Sequence, residues 1–262
     1  MISFTSAQLS AWLAAFFFPL TRILGLLVAT PVFNSAAVPN TVLLVLGLAI
    51  NLAIAPVLPP LPDIPAGSWI GLAILLQQFF IGVFMGFTVR VVFLAVDLAG
   101  ELIGLQMGLS FAVFYDPQGS GRTPVITEFL GLLTSLLFLA LNGHLMLLAA
   151  LAESFTLLPI SATPFAAKGI GVMLNWAGTL FSAGVLISLP LVAAVLIANI
   201  AMGVLSRVAP QLNLFAVGFP VTLAAGFIVL MISMPYFGAA LERLFDQGFD
   251  ALRAVMSASA AR

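Results

Sequence analysis

The chain has 262 residues, 63% hydrophobic and 6% charged, with eight Lys or Arg against nine Asp or Glu and a mean hydropathy of +1.25. A soluble domain carries about a quarter charged residues, so this composition excludes one; the net charge itself says nothing about nucleic acid, which is not expected as a partner, and no basic run suggests an anionic-lipid anchor. The absence of Cys further excludes disulfides, iron–sulfur clusters and thiolate zinc sites.

Apolar runs long enough to cross a bilayer recur along the whole length, which predicts an all-α, polytopic helical membrane protein of about six long spans. The opening MISFTSAQ has no Lys or Arg, so the first span is expected to be retained and not cleaved as a signal. That span covers about Leu9 to Thr30, with Ser6 or Ser10 as its cap. Pro19 and Arg22 interrupt it. An unpaired charge so deep costs at least about 2.5–3.5 kcal/mol on insertion scales, so Arg22 is expected to face a protein partner or water.

A turn from Pro31 to Asn40 leads to span two, about Thr41 to Leu58, which holds the polar Asn51 and exits at Pro56. Pro59, Pro60, Pro62 and Pro65 predict a stiff, extended connection. Span three runs from Ile70 to about Val96, after Ser68 and Trp69, and contains Gln77, Gln78 and Arg90. Arg90, Asp97 and Glu101 stand at i, i+7 and i+11, within about 40° of one another on a continuous helix. Asp97 and Glu101, one turn apart, repel each other. They call for a cation from Arg22, Arg90 or a neighbouring chain, or for protonation of one of them. This network reads as structural or as an ion relay, and the structural reading is favoured because no third acidic group continues a path.

The stretch from Asp97 to Glu128 is dense in Gly, charge and amides. Gly100, Gly104 and Gly108 recur every four residues, which places them on nearly one helical stripe where another backbone can approach. Phe111, Phe114 and Tyr115 follow, and Asp116-Pro117-Gln118-Gly119-Ser120-Gly121 predicts a turn or loop. Irregular backbone cannot face lipid, so this loop must be buried in protein or line a cavity. Span four is expected from about Pro124 to Ala150, opened by Thr123-Pro124 and Glu128. The one histidine, His144, has no metal-ligating neighbour at helical spacing and reads as a hydrogen-bonded packing residue. A loop from Glu153 to Lys168, with Pro159 and Pro164, follows.

From Gly169 to Arg207 the chain is apolar for about 39 residues, broken by Asn175, Pro190 and Asn199. As helix it would be about 58 Å long, and the next run, Leu212 to about Leu241, about 45 Å. A bilayer core needs about 20 residues. Two overlong helices joined at Ser206 to Asn213 predict a tall hairpin that packs against other proteins, followed by an amphipathic tail from Glu242 to Arg262. Six spans put both termini on one side, and four basic residues there (Lys168, Arg243, Arg253, Arg262) against two opposite (Arg122, Arg207) favour cytoplasmic termini. No catalytic constellation, phosphate loop or metal motif is present, so no enzyme and no cofactor are expected.

The segment Gly100-Glu101-Leu-Ile-Gly104-Leu-Gln106-Met107-Gly108, followed by Asp116-Pro117, resembles the central segment of the FliR family of flagellar biosynthesis proteins, relatives of the SctT-like export subunits. Leu205-Ser206-Arg207-Val-Ala-Pro210-Gln211-Leu-Asn213 and Val217-Gly218-Phe219-Pro220 resemble that family's hairpin turn, and the resemblance covers essentially the whole chain. It implies a non-enzymatic subunit of the flagellar type III export gate in the bacterial inner membrane and basal body. The partners it implies are FliP and FliQ in one pore complex, FlhB and FlhA nearby, and unfolded flagellar proteins as substrates. It also implies a FliP-like part over residues 1–168 and a FliQ-like hairpin and tail over 169–262. The loop over 106–122 would then act as a pore plug, with Gln106, Met107, Gly108, Phe111, Phe114, Tyr115, Asp116 and Pro117 as its residues. A virulence type III secretion subunit is the related alternative. A small secondary transporter using Arg22, Arg90, Asp97 and Glu101 is the unrelated one, although no inverted repeat is evident.

Overall fold

The computed structural model describes residues 5–35, 37–59, 64–109, 124–163, 167–209 and 214–260, and among these every regular element is helical. The helices are α1 (Ser6–Ala29), α2 (Asn40–Ile54) with a short 3-10 turn (Ala55–Val57), α3 (Trp69–Gln106), α4 (Val125–Ala140), α5 (Gly143–Leu157), α6 (Ala167–Val208) and α7 (Leu214–Ala260). Five of these stretches are long and apolar enough to cross a membrane, and α4 with α5 would make a sixth if the pair forms one span. The all-α, polytopic arrangement expected from composition is therefore what the chain adopts.

Local chemistry explains where the helices begin and break. Thr5, not Ser6 or Ser10, caps α1: its hydroxyl accepts from Gln8 N–H and the Gln8 side chain accepts from Thr5 N–H, a reciprocal capping box. Pro19 has no N–H to give the preceding turn, and nearby Asn51 Nδ2 of α2 donates to Phe16 O at 3.2 Å. The amide thus bonds the carbonyl next to Ala15 O, the one that Pro19 leaves without its helical partner. Helix α3 continues unbroken through Asp97 and Glu101, as the stripe argument assumed. The fourth predicted span is interrupted, because Asn142 adopts the left-handed conformation (φ 56°, ψ 26°) and separates α4 from α5. Asn is among the few residues that enter this region at low cost.

The last two helices are longer than the apolar runs foretold, with 42 residues in α6 and 47 in α7. The amphipathic tail is no separate segment; from Glu242 to Ala260 it is the C-terminal part of α7. Its apolar face (Phe245, Phe249, Leu252, Val255, Met256) is buried while Glu242, Arg243, Asp246, Asp250 and Arg253 are exposed.

The chain forms two compact units that do not follow chain order. The first comprises α1, α2, α3 as far as Val91, α5, α6 as far as Ala177 and α7 from Phe245. In it α1 and α3 meet backbone to backbone: a Cβ on Gly25 would strike Phe79 O, and one on Gly82 would strike Arg22 O. Small residues permit this approach, which replaces hydrophobic drive with packing where lipid is the solvent. Trp176 Nε1 donates to Thr88 O at 2.8 Å and ties α6 to α3 within this unit. A Cβ on Gly169 would overlap Ser259, so the last turn of α7 lies on the first turns of α6.

The second unit comprises α3 from Val92, α4, α6 from Gly178 and α7 as far as Leu244. Its core is centred on the C-terminal part of α3. A Cβ on Gly100 would be 2.5 Å from Thr127 Cα of α4, one on Gly184 of α6 would be 2.8 Å from Ala95 O, and one on Gly226 of α7 would be 2.7 Å from Met107. Phe93 and Phe138 meet edge to face, with centroids 5.8 Å apart.

Candidate functional site

Two arrangements in the fold carry the chemistry singled out in the sequence: a buried guanidinium in the first unit and the base of the central loop in the second. Arg22 is completely buried. Its Nε donates to Gln78 Oε1 at 2.7 Å, and Nη2 donates to the same oxygen and to Leu158 O at 2.8 Å. Nη1 donates to Ser154 O at 2.9 Å and to Ser154 Oγ at 3.0 Å. The Ser154 hydroxyl gives its own proton to Leu151 O, which leaves its lone pairs toward the guanidinium. Every N–H of the guanidinium therefore has an acceptor, and its carbon lies 4.2 Å from the centroid of the Phe155 ring.

None of these acceptors is a carboxylate. The negative counterpart is the C-terminal end of α5, whose terminal carbonyls, Ser154 O and Leu158 O, point at the cation. A helix end carries roughly half a negative charge, and a cation there gains about 0.3–2 kcal/mol depending on burial. Arg22 thus faces protein, as expected, but its partners are neutral groups of its own chain. Gln78 was legible as a polar residue in an apolar span. Ser154 was not, because the sequence placed it in a loop. The Gln78 amide pays for its role, since its buried Nε2 has no partner among the described residues.

The carboxylates of the expected charge network belong to the second unit. In the first unit Arg90 is exposed, while in the second Glu101 is exposed and Asp97 half-buried, its Oδ1 3.7 Å from where a Cβ on Gly131 would stand. His144, expected to be hydrogen-bonded, is half-buried at the start of α5, and its Nδ1 has no partner among the described residues.

The three glycines of the central motif do three different jobs. Gly100 lets α4 approach. Gly104 is less crowded, a Cβ there meeting Pro124 Cβ at 3.8 Å. Gly108 terminates α3 with φ 78°, and Leu109 N donates to Gly104 O (3.0 Å) while Gly108 N donates to Leu105 O (3.1 Å). Together these bonds form a Schellman cap, which needs a left-handed residue at that position. Gln106 ends the helix half-exposed, and Met107 is fully buried against Gly226. The chain thus leaves α3 at a rigid, capped end and re-enters helix beside it at Pro124. Phe111, Phe114, Tyr115, Asp116 and Pro117 lie outside the described residues.

Of the hairpin-turn residues, Arg207 is exposed in the last turn of α6, while Gly218 and Pro220 lie within α7 and not in a turn. Pro210, Gln211 and Asn213 lie outside the described residues.

Comparison with known proteins adds the following. The family model of bacterial export proteins, family 1, matches residues 13–248. The flagellar biosynthetic protein FliR of Pectobacterium carotovorum subsp. carotovorum is 42% identical over 257 residues, 98% of each chain. FliR of Escherichia coli (strain K12) is 40% identical over 257 residues, again 98% of each. FliR of Aquifex aeolicus (strain VF5) is 32% identical over 229 residues, 87% of this chain and 88% of that one.

Proposed function

Since this chain belongs to the bacterial export proteins of family 1, we propose that it is a non-enzymatic gate subunit of flagellar protein export. Its FliR relatives and its five or six apolar helices make it a multi-pass membrane subunit of the flagellar export apparatus. Within that apparatus, in the bacterial inner membrane, it joins FliP and FliQ in a pore, with FlhB and FlhA close by. The part over residues 1–168 supplies the FliP-like contribution and the part over 169–262 the FliQ-like one. The loop over 106–122 obstructs the lumen until an unfolded flagellar protein engages it.

The observation that supports this reading best is the anchoring of the loop's base. Met107 is seated on α7, Gly108 is fixed in a Schellman cap, and Gly100 is locked onto α4. A loop that must block ions and yet yield to a polypeptide needs firm ends and bulky apolar content, which Phe111, Phe114 and Tyr115 provide. Burying such rings is worth roughly 1.5–3 kcal/mol each, enough in sum to favour closure and still be reversed. Replacing the three aromatics by Gly is expected to leave complex levels unchanged and raise small-ion permeability of the membrane. Normal complex levels with no rise in permeability would make the loop packing and not a plug. The relatives reported above are flagellar, which favours that branch over a virulence role.

A further inference from the structure

We propose that Arg22 is a positioning residue for export: a buried cation, balanced by the C-terminal end of α5 and not by a carboxylate, that fixes the register of α1, α3 and α5. The three helices converge on one guanidinium. It belongs to α1, takes the amide of Gln78 from α3, and takes the last carbonyls and Phe155 from α5. Next to Gln78, Gln77 Nε2 donates to Thr163 O at 2.7 Å, so the segment that follows α5 is held by the same turn of α3. Gly82 brings the backbone of α3 against the carbonyl of Arg22 itself, which leaves no slack at the crossing.

The chemistry of the cage is specific. A planar fork with donors on both edges serves two separate helices at once, which a single ammonium cannot do. An ion pair would be indifferent to where α5 ends, whereas a helix terminus accepts the cation only at its last turn. The charge therefore measures where α5 stops. Apolar replacement of a buried charged cluster is often neutral for stability, and this separates folding from positioning.

The test uses three variants of the full chain in a flagellated host lacking its own copy: R22K, R22M/Q78L and R22K/Q78E. Two quantities are read, the amount of assembled complex in the membrane and export of flagellar protein per complex. R22M/Q78L is expected to accumulate normally but lose about tenfold or more in export per complex, a change corresponding to about 1.4 kcal/mol. R22K is expected to lose export similarly, and R22K/Q78E to stay low as well, because an ammonium paired with a carboxylate on α3 no longer holds the end of α5.

Unchanged export per complex in R22M/Q78L, or in R22K, would overturn the proposal, because the cage would then be dispensable packing. If R22M/Q78L and R22K both fail to accumulate, R22K/Q78E decides: complex that accumulates with export still reduced supports the proposal, and normal export per complex, or no complex, overturns it.

Discussion

A single methyl group at Gly82 would run into the carbonyl of Arg22, and neither partner can move, since both atoms belong to helix backbone. Gly82→Val is therefore expected to push α1 from α3 and to pull Arg22 off its acceptors. Overpacking typically costs about 1–3 kcal/mol, and here the exposed carbonyls of α5 add to it. The check is the steady-state level of the chain in membranes, which should fall sharply, whereas Gly67→Ala, with open space around it, should not change it. The carboxylates of α3 behave differently. Glu101 is exposed, and if it serves a structural contact with another chain, Glu101→Gln should lower complex yield without altering the dependence of export on the proton gradient. A normal complex whose export is uncoupled from that gradient would restore the relay reading.

At the scale of elements, the cap of α3 makes a sharp statement. Gly108 sits at φ 78°, where a side chain costs about 1–2 kcal/mol and a β-branched one more. Gly108→Val should lower the temperature at which the extracted complex dissociates, and Gly108→Asn should lower it less, because Asn tolerates the left-handed region. Equal effects from both substitutions would mean that space around residue 108, and not its backbone, sets the cost. The C-terminal part of α7 is equally testable. Chain ending at Leu241 would lose Phe245, Phe249, Leu252, Val255 and Met256 from the core of the first unit, so in cells that assemble the complex the shortened protein should be degraded by proteases that spare the full one.

These elements also mark how far sequence carries. The excess length of α6 and α7 was legible in apolar run length, whereas α3 continues past the expected end at Val96, through Asp97 and Glu101 to Gln106. The break at Asn142 was missed although Asn142-Gly143 is a turn dipeptide, because it lies inside a long apolar run. The tail was misplaced because the onset of charge at Glu242 ends the apolar run but not the helix. At the buried arginine, sequence called for a protein partner or water, and the fold supplied carbonyls; a backbone acceptor leaves no residue type to recognise. The even spacing of Gly100, Gly104 and Gly108 suggested one shared contact, but the chain spends each glycine separately.

For the whole molecule, the decisive quantity is what remains uncovered. Within this chain 61% of the most apolar stretch of α3 is buried, but only 22% of that of α6 and 17% of that of α7. Phe181, Ile197, Val208, Met231 and Tyr236 are each at least 66% exposed. Lipid could cover such residues over about 20 residues of helix, yet α6 has 42 and α7 runs from Leu214 to Leu241 before its charged tail begins, and tilting accommodates a mismatch of only a few ångströms. The remaining apolar length is expected to need protein neighbours. The chain expressed alone should accordingly be proteolysed or aggregate on extraction, and co-expression with FliP- and FliQ-like chains should yield a large complex of fixed composition. The measurement is the mass of the detergent-extracted species in each case. A stable, monodisperse monomer in mild detergent would show that α6 and α7 are satisfied without partners, and would remove the physical reason for placing them in an assembly.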